Sequence, residues 1–213
     1  MPFRITPAVL NILIINVLVF ISLHLIQHDW FMELFLLFKT DLIFDRYYFG
    51  MDLSEHFQPI QIVTSFFAHI DVFHIFFNMY ALVMFGTMLE AVIGSRRFIQ
   101  EYLIFGVASG ILIALFDPSD MPVLGASTAL SGLLVSFAML YPNTEIGIMF
   151  LPIQFKAYHY VIGLAVISGG LVLYGLVTGK DTGSISHFGH FAGMAVAFIY
   201  HQFSRFLYQR RKR

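Results

Sequence analysis

The chain has 213 residues, of which 58% are hydrophobic and only 12% are charged, and its formal net charge is −1. Soluble domains carry about 25% charged residues, so the composition excludes an ordinary soluble protein and indicates several membrane spans. Cysteine is absent, which excludes disulfides, thiolate metal sites and a cysteine nucleophile.

Apolar runs predict six membrane-spanning helices, each close to the length that a bilayer requires. In chain order they lie near 8–26, 69–93, 97–116, 123–141, 158–177 and 187–207. Segment 27–68 holds the single Trp, Trp30, and predicts interfacial helices anchored at the lipid headgroups. We therefore expect an all-α membrane protein: a six-helix bundle with an interfacial first external loop, forming one domain over residues 1–213.

Basic residues predict the orientation of these helices. With the N-terminus inside, the inner segments hold nine Lys and Arg residues and the outer segments hold three. An excess of Lys and Arg marks the cytoplasmic side, so both ends are expected there. The basic tail 208–213 is then a topology anchor, and no nucleic-acid partner is expected.

Polar side chains recur at one depth of the predicted bundle. His74, Asn78, Ser127 and His190 all lie about 5–14 Å below the outer surface, at a rise of 1.5 Å per residue. Such side chains are costly in lipid and normally face the protein interior. His74 and Asn78 are spaced i and i+4, so they share one helix face.

This group of side chains suits a hydrolytic site. Ser127 is a weak nucleophile unless a base takes its proton, and His190 is the candidate base. His74, Asn78 and the backbone N–H of Ser127 are candidate donors to an oxyanion. No carboxylate is expected at this depth, so the sequence predicts a Ser–His dyad.

Glycines provide the close helix contacts that such a dyad needs. Gly125 and Gly132 lie on the fourth predicted span, and Gly193 follows His190 on the sixth. Small residues let two helix backbones approach. These three glycines are therefore expected to have structural roles.

Three other interpretations remain open at this point. Serine and threonine in spans are commonly packing residues, which suits Thr128, Ser131 and Ser136. Four histidines could bind zinc, although the chain lacks an HExxH motif; they are His69, His74, His187 and His190. Intramembrane histidines with a glycine-broken fifth span also suit a transporter.

Three stretches carry a resemblance to a known family: HIDVFHIFFNM, GASTALSG and GHFAGMAVAF, in that order. They match the His-xxx-Asn, Gly-x-Ser and His-xx-Gly motifs of the rhomboid intramembrane serine proteases. The six-span layout and the long first external loop resemble this family too. The resemblance therefore covers nearly the whole chain.

The resemblance implies the role of each residue. Ser127 would be the nucleophile and His190 the general base, with His74 and Asn78 lining the oxyanion hole. Glu90 matches a structural glutamate of the family, and the fifth helix with the loop before the sixth would form a lateral gate. Substrates would be transmembrane segments cut near the outer face, with no cofactor or metal.

The resemblance and the lack of a recognisable targeting peptide imply a bacterial inner membrane. Membrane lipid is an expected partner, while the preferred cleavage sequence and the oligomeric state are not predicted. Three positions depart from the family pattern: Thr128, Ser131 and Ile60. The bulk of Thr128 is expected to narrow the oxyanion pocket or to shift the Ser127 N–H. These departures leave an alternative, a weak or inactive relative that binds transmembrane helices without cutting them.

Overall fold

The computed structural model describes residues 4–26, 28–39, 44–48, 51–55, 57–119, 121–147, 153–180 and 185–211. The helices are α1 (Pro7–Leu25), α2 (Asp29–Glu33), α3 (Gln61–Thr64), α4 (Val72–Ala81), α5 (Thr87–Ile93), α6 (Ser95–Phe116), α7 (Ser127–Leu140), α8 (Ala157–Thr178) and α9 (His187–Arg211). A π-helical stretch, Leu82–Gly86, joins α4 and α5 into one rod. This arrangement confirms the predicted bundle of membrane-spanning helices.

Among the described residues, four helices are long and apolar enough to cross a membrane. They run over Pro7–Leu25, Val72–Ile93 (α4 and α5 together), Ser95–Phe116 and Ala157–Thr178. The chain is therefore an integral membrane protein. α7 is a shorter apolar helix of 14 residues. α9 has 25 residues and ends in a basic, polar turn.

The predicted start of the fourth span, near Val123, was wrong, because the helix begins at Ser127. Val123 and Leu37 form an isolated antiparallel bridge, with N···O distances of 2.9 and 3.0 Å. This pairing uses the backbone groups of Val123 in an extended conformation. The second span likewise begins at Val72 rather than His69.

The predicted first external loop contains a hairpin where only helices were predicted. β1 (Phe44–Tyr48) pairs antiparallel with β2 (Met51–Glu55). A second hairpin follows α7, where β3 (Glu145–Gly147) pairs with β4 (Gln154–Lys156). Each strand of the first hairpin has only five residues, which is too short for its periodicity to separate a strand from a helix.

The predicted interfacial loop 27–68 and the predicted basic tail 208–213 lie only partly within the described residues. Trp30 lies in α2 with 62% of its surface exposed, as an anchor at the headgroups requires. Of the predicted loop 27–68, residues 27, 40–43, 49–50 and 56 lie outside the described residues. Residues 212–213 of the predicted basic tail also lie outside them.

α7 lies at the centre of the bundle, against α6, α8 and α9. Gly132 permits the approach of α6, because a Cβ there would lie 2.7 Å from the Phe105 ring. Gly193 permits the approach of α9, because a Cβ there would lie only 2.2 Å from the carbonyl oxygen of Thr128. Glycine at these positions therefore brings α6 and α9 into backbone contact with the helix that begins at Ser127.

Glu90 holds the start of α1 against the second span. Its carboxylate accepts hydrogen bonds from the backbone N–H groups of Ala8 and Val9, both at 2.9 Å. It also accepts from the hydroxyls of Thr6, at 2.5 Å, and Ser95, at 2.6 Å. The side chain thus satisfies free N–H groups in the first turn of α1 and places a negative charge at its positive end.

Candidate functional site

The hydroxyl of Ser127 and the ring of His190 meet at one end of the bundle. His190 Nε2 lies 2.8 Å from Ser127 Oγ, a hydrogen-bond distance. Ser127 is the first residue of α7, and His190 lies in the first turn of α9. Both side chains are half-buried. The structure therefore brings together the two residues of the predicted dyad, which are 63 positions apart in the chain.

The turn before Ser127 is fixed by contacts to the end of the first external segment. Gly125 has a φ of +117°, which an L side chain rarely adopts. Its N–H donates to the carbonyl oxygen of Ser65 at 2.9 Å. The next N–H, of Ala126, donates to His69 Nε2 at 3.4 Å. These bonds set the point at which α7 starts and thereby the position of Ser127.

His74 reaches the same turn from α4. A Cβ added to Gly125 would lie 2.7 Å from His74 Nε2 and 3.7 Å from Ser127 Oγ. The imidazole and the hydroxyl therefore flank one point above the α-carbon of Gly125. Asp71 supports His74 by capping α4, with its carboxylate accepting from the His74 N–H at 2.8 Å.

Asn78 is buried one turn further along α4. Its side-chain nitrogen donates to the carbonyl oxygen of His74 at 2.9 Å, within its own helix. The amide is thus placed under His74 while its N–H₂ group bonds to the backbone. The second hydrogen of this N–H₂ group is left to donate to another acceptor.

His69 packs beside His74, with ring centroids 4.9 Å apart in an edge-to-face arrangement. Only 2% of His69 is exposed. Burial, together with the neighbouring His74, lowers the pKa of His69 from 6.5 to about 3. His69 is therefore neutral at physiological pH, and its Nε2 can accept the Ala126 N–H.

Thr128 packs against α9. A Cβ built on Gly189 would lie 3.0 Å from Thr128 Oγ1. Thr128 is 5% exposed. Its side chain therefore lies in the α7–α9 interface, and its effect on the oxyanion pocket or on the Ser127 N–H stays a prediction.

Two other departures lie outside this arrangement. Ser131 is half-buried on α7, one turn after Ser127. Ile60 precedes α3 and is 50% exposed. Within the described part of the chain, no three His, Asp or Glu side chains are grouped as a metal site. The zinc interpretation therefore has no supporting cluster among those residues.

Sequence reasoning missed several polar side chains at the start and in the middle of α9. Ser186 accepts a hydrogen bond from the Gly189 N–H at 3.0 Å and so caps α9. In the middle of the helix, His201 bonds to Ser136 on α7 and approaches Glu101 on α6. A usable signal exists for His201, because it follows His190 by eleven residues, three helical turns, and so lies on the same face.

Comparisons with known proteins agree with the geometry. Residues 56–205 match the Rhomboid domain. "Rhomboid protein 1, mitochondrial" of Saccharomyces cerevisiae is 30% identical over 66% of this chain and 40% of its own length. "Presenilin-associated rhomboid-like protein A, mitochondrial" of Danio rerio is 30% identical over 59% of this chain and 34% of its own. "Rhomboid protease GluP" of Bacillus subtilis is 32% identical over 65% of this chain and 25% of its own.

This chain therefore spans well under two thirds of these relatives. Two of the three are named as mitochondrial, so the comparisons do not support the bacterial inner membrane that the sequence led us to expect. The assignment of residues 1–213 to one domain stays a prediction, since the matched domain ends at residue 205. The family match nevertheless covers most of the chain, and its three motifs meet at one site in the structure. The chain belongs to the rhomboid family of membrane proteins.

Proposed function

We propose that this protein is an intramembrane serine endopeptidase that cuts transmembrane segments of other membrane proteins near one face of the bilayer. The observation that carries the proposal is the 2.8 Å contact between Ser127 Oγ and His190 Nε2 within a bundle of membrane helices. A hydroxyl paired with an imidazole is the minimum needed for nucleophilic attack. The presence of a relative named as a protease supports the same reading.

The proposed reaction begins at Ser127. As the Oγ–carbon bond to the substrate carbonyl forms, the Ser127 proton passes to His190 Nε2. The carbonyl becomes an oxyanion above Gly125, and we expect His74, Asn78 and the N–H of Ser127 to donate hydrogen bonds to it. The carbon–nitrogen bond then breaks, and His190 returns the proton to the leaving amine. A water, deprotonated by His190, hydrolyses the acyl-enzyme and regenerates Ser127.

The position of the site supports cleavage of transmembrane segments near the outer face of the membrane. Ser127 and His190 lie at the same end of α7 and α9, and the basic residues of α6 and α9 lie at the other end. We infer that both termini face the basic side, which is the inner side, and that the site opens toward the outer face. A substrate helix must unwind there, because its carbonyls are otherwise held in hydrogen bonds.

A fluorophosphonate probe tests the proposal directly, since it labels only an activated serine. The purified protein in detergent should be labelled, and Ser127→Ala and His190→Gln should abolish labelling. Ser131→Ala is the matched control, because it removes a hydroxyl one turn along the same helix, and it should retain labelling. A chelator should have no effect.

If the unaltered folded protein is never labelled and cleaves no transmembrane segment, the protease proposal is wrong. Retained binding of a transmembrane peptide in that case would support the alternative, a helix-binding protein without proteolysis. Loss of labelling on chelation would instead reopen the metal interpretation.

A further inference from the structure

A second serine–histidine pair joins the same two helices further along their length. Ser136 Oγ on α7 lies 2.6 Å from His201 Nε2 on α9. Ser136 has no exposed surface, so no substrate can reach it. This pair is therefore not a second nucleophilic site, and its position requires another explanation.

Glu101 brings a third helix to the pair. Its Oε2 lies 3.8 Å from His201 Nε2, and its Oε1 accepts a hydrogen bond from Arg97 Nε at 3.0 Å. Glu101 is fully buried, and its Oε2 has no hydrogen-bond partner among the described residues. A buried carboxylate oxygen without a donor is costly, and at 3.8 Å the Glu101 carboxylate lies beside the imidazole without a hydrogen bond to it. The cluster thus holds His201 between α6 and α7.

The two serine–histidine pairs show that α7 and α9 run in the same direction. Ser136 follows Ser127 by nine residues, or about 14 Å, and His201 follows His190 by eleven residues, or about 17 Å. Between them the helices touch closely, because a Cβ on Gly193 would lie 2.2 Å from the Thr128 carbonyl oxygen. Glycine permits this close approach, and side-chain contacts between the two helices restrain the axial position of α9 against α7.

We propose that Ser136, His201 and Glu101 are positioning residues that fix the register of α9 against α7, and so keep His190 within hydrogen-bond distance of Ser127. The Ser127–His190 pair and the Ser136–His201 pair restrain the two helices at two levels along their length. Loss of the Ser136–His201 contact lets α9 slide or rotate against α7, and this displaces His190 from Ser127. The inference rests on the proposed function, because it assigns Ser136, His201 and Glu101 a role in that reaction.

The expected effect is on turnover more than on substrate binding. A displacement of about 1 Å in a reacting group can reduce the rate about 100-fold. We therefore expect Ser136→Ala and His201→Leu each to lower kcat by about 10- to 100-fold, with KM changed less than about threefold. Ser136→Thr retains the hydroxyl and should retain more activity than Ser136→Ala.

Ser109→Ala is the matched control for lost packing and stability. Ser109 is also fully buried, but its hydroxyl bonds only to the Phe105 carbonyl oxygen of its own helix, at 2.6 Å. Wild type and the four variants are compared at a temperature at which all are folded, with thermal unfolding measured in parallel. Equal kcat for Ser136→Ala and Ser109→Ala would overturn the proposal, even if both unfold earlier than wild type.

A spectroscopic measurement tests the same inference without proteolysis. With ¹⁵N-labelled histidine, the Nε2 resonance of His190, assigned with His190→Gln, reports its bond to Ser127. Ser136→Ala should shift this resonance toward that of Ser127→Ala, while Ser109→Ala should leave it in place. An unchanged His190 resonance in Ser136→Ala would contradict a positioning role.

The two measurements separate this inference from the proposed function. If wild type is inactive but the His190 resonance still responds to Ser136→Ala, the register role stands and the protease proposal fails. If wild type is active through Ser127 and neither kcat nor the resonance responds, the register role fails alone.

Discussion

The imidazole of His74 lies against the α-carbon of Gly125, so that a methyl group added there would come within 2.7 Å of Nε2. The glycine is therefore required twice, by its φ of +117° and by the ring above it. The contact also links the second membrane span to the turn that places Ser127. The lack of a Cβ at Gly125 thus leaves room for His74 in the proposed oxyanion pocket.

Gly125→Ala should disable the site. The new methyl group would push His74 away and strain the turn, at a cost of about 1–3 kcal/mol for the backbone alone. We expect more than about a tenfold loss of fluorophosphonate labelling, because a small misplacement at the site has a large effect. Gly163→Ala is the control, since a Cβ there meets nothing within 4 Å. Normal labelling of Gly125→Ala would show that His74 has no such role.

Thr128→Gly should not speed labelling. The threonine side chain fills the interface with α9, where its Oγ1 faces Gly189. Glycine inside a helix costs about 1 kcal/mol relative to alanine, and the lost contact adds about 1 kcal/mol per buried methylene-sized group. Thermal unfolding should occur at lower temperature, while Thr128→Ser should lie closer to wild type. Faster labelling of Thr128→Gly at full stability would mean that Thr128 limits the pocket after all.

Glu90→Gln should destabilise the bundle without changing the chemistry. The carboxylate accepts three hydrogen bonds at the start of α1 and one from Ser95, and an amide cannot accept all of them because its nitrogen only donates. The expected loss is about 1–3 kcal/mol in the free energy of unfolding. Ser95→Ala removes a single donor and should cost less. Labelling of Ser127, measured well below the unfolding temperature, should stay at the wild-type rate.

His69 should make the protein less stable in acid. Burial holds its pKa near 3 in the folded state, against 6.5 in an unfolded chain. Between these values the unfolded state binds a proton that the folded state does not, so stability falls as the pH falls from about 6.5 toward 3. His69→Gln should flatten this part of the curve of unfolding temperature against pH. His24→Gln, at an exposed position on α1, controls for loss of an imidazole, and an unchanged slope in His69→Gln would contradict the prediction.

Much of the fold was predictable from local sequence. Hydropathy located the long rods, because a helix in lipid must satisfy its own backbone and expose apolar side chains over a fixed length. The spacing of His74 and Asn78 placed them on one face of α4, and the family motifs identified Ser127 and His190. The hairpins were missed, because pairing between β1 and β2 depends on contacts between strands that a single short run does not encode.

The sequence by itself determined that this chain is a membrane bundle of the rhomboid family, since composition, span length and motif order are local properties. Only the tertiary structure decided which polar groups meet. It placed Ser127 against His190 and Ser136 against His201, and it turned Thr128 toward Gly189. The physical reason is that helix register and rotation follow from packing between helices distant in the chain. A shift of one residue there would separate every one of these pairs.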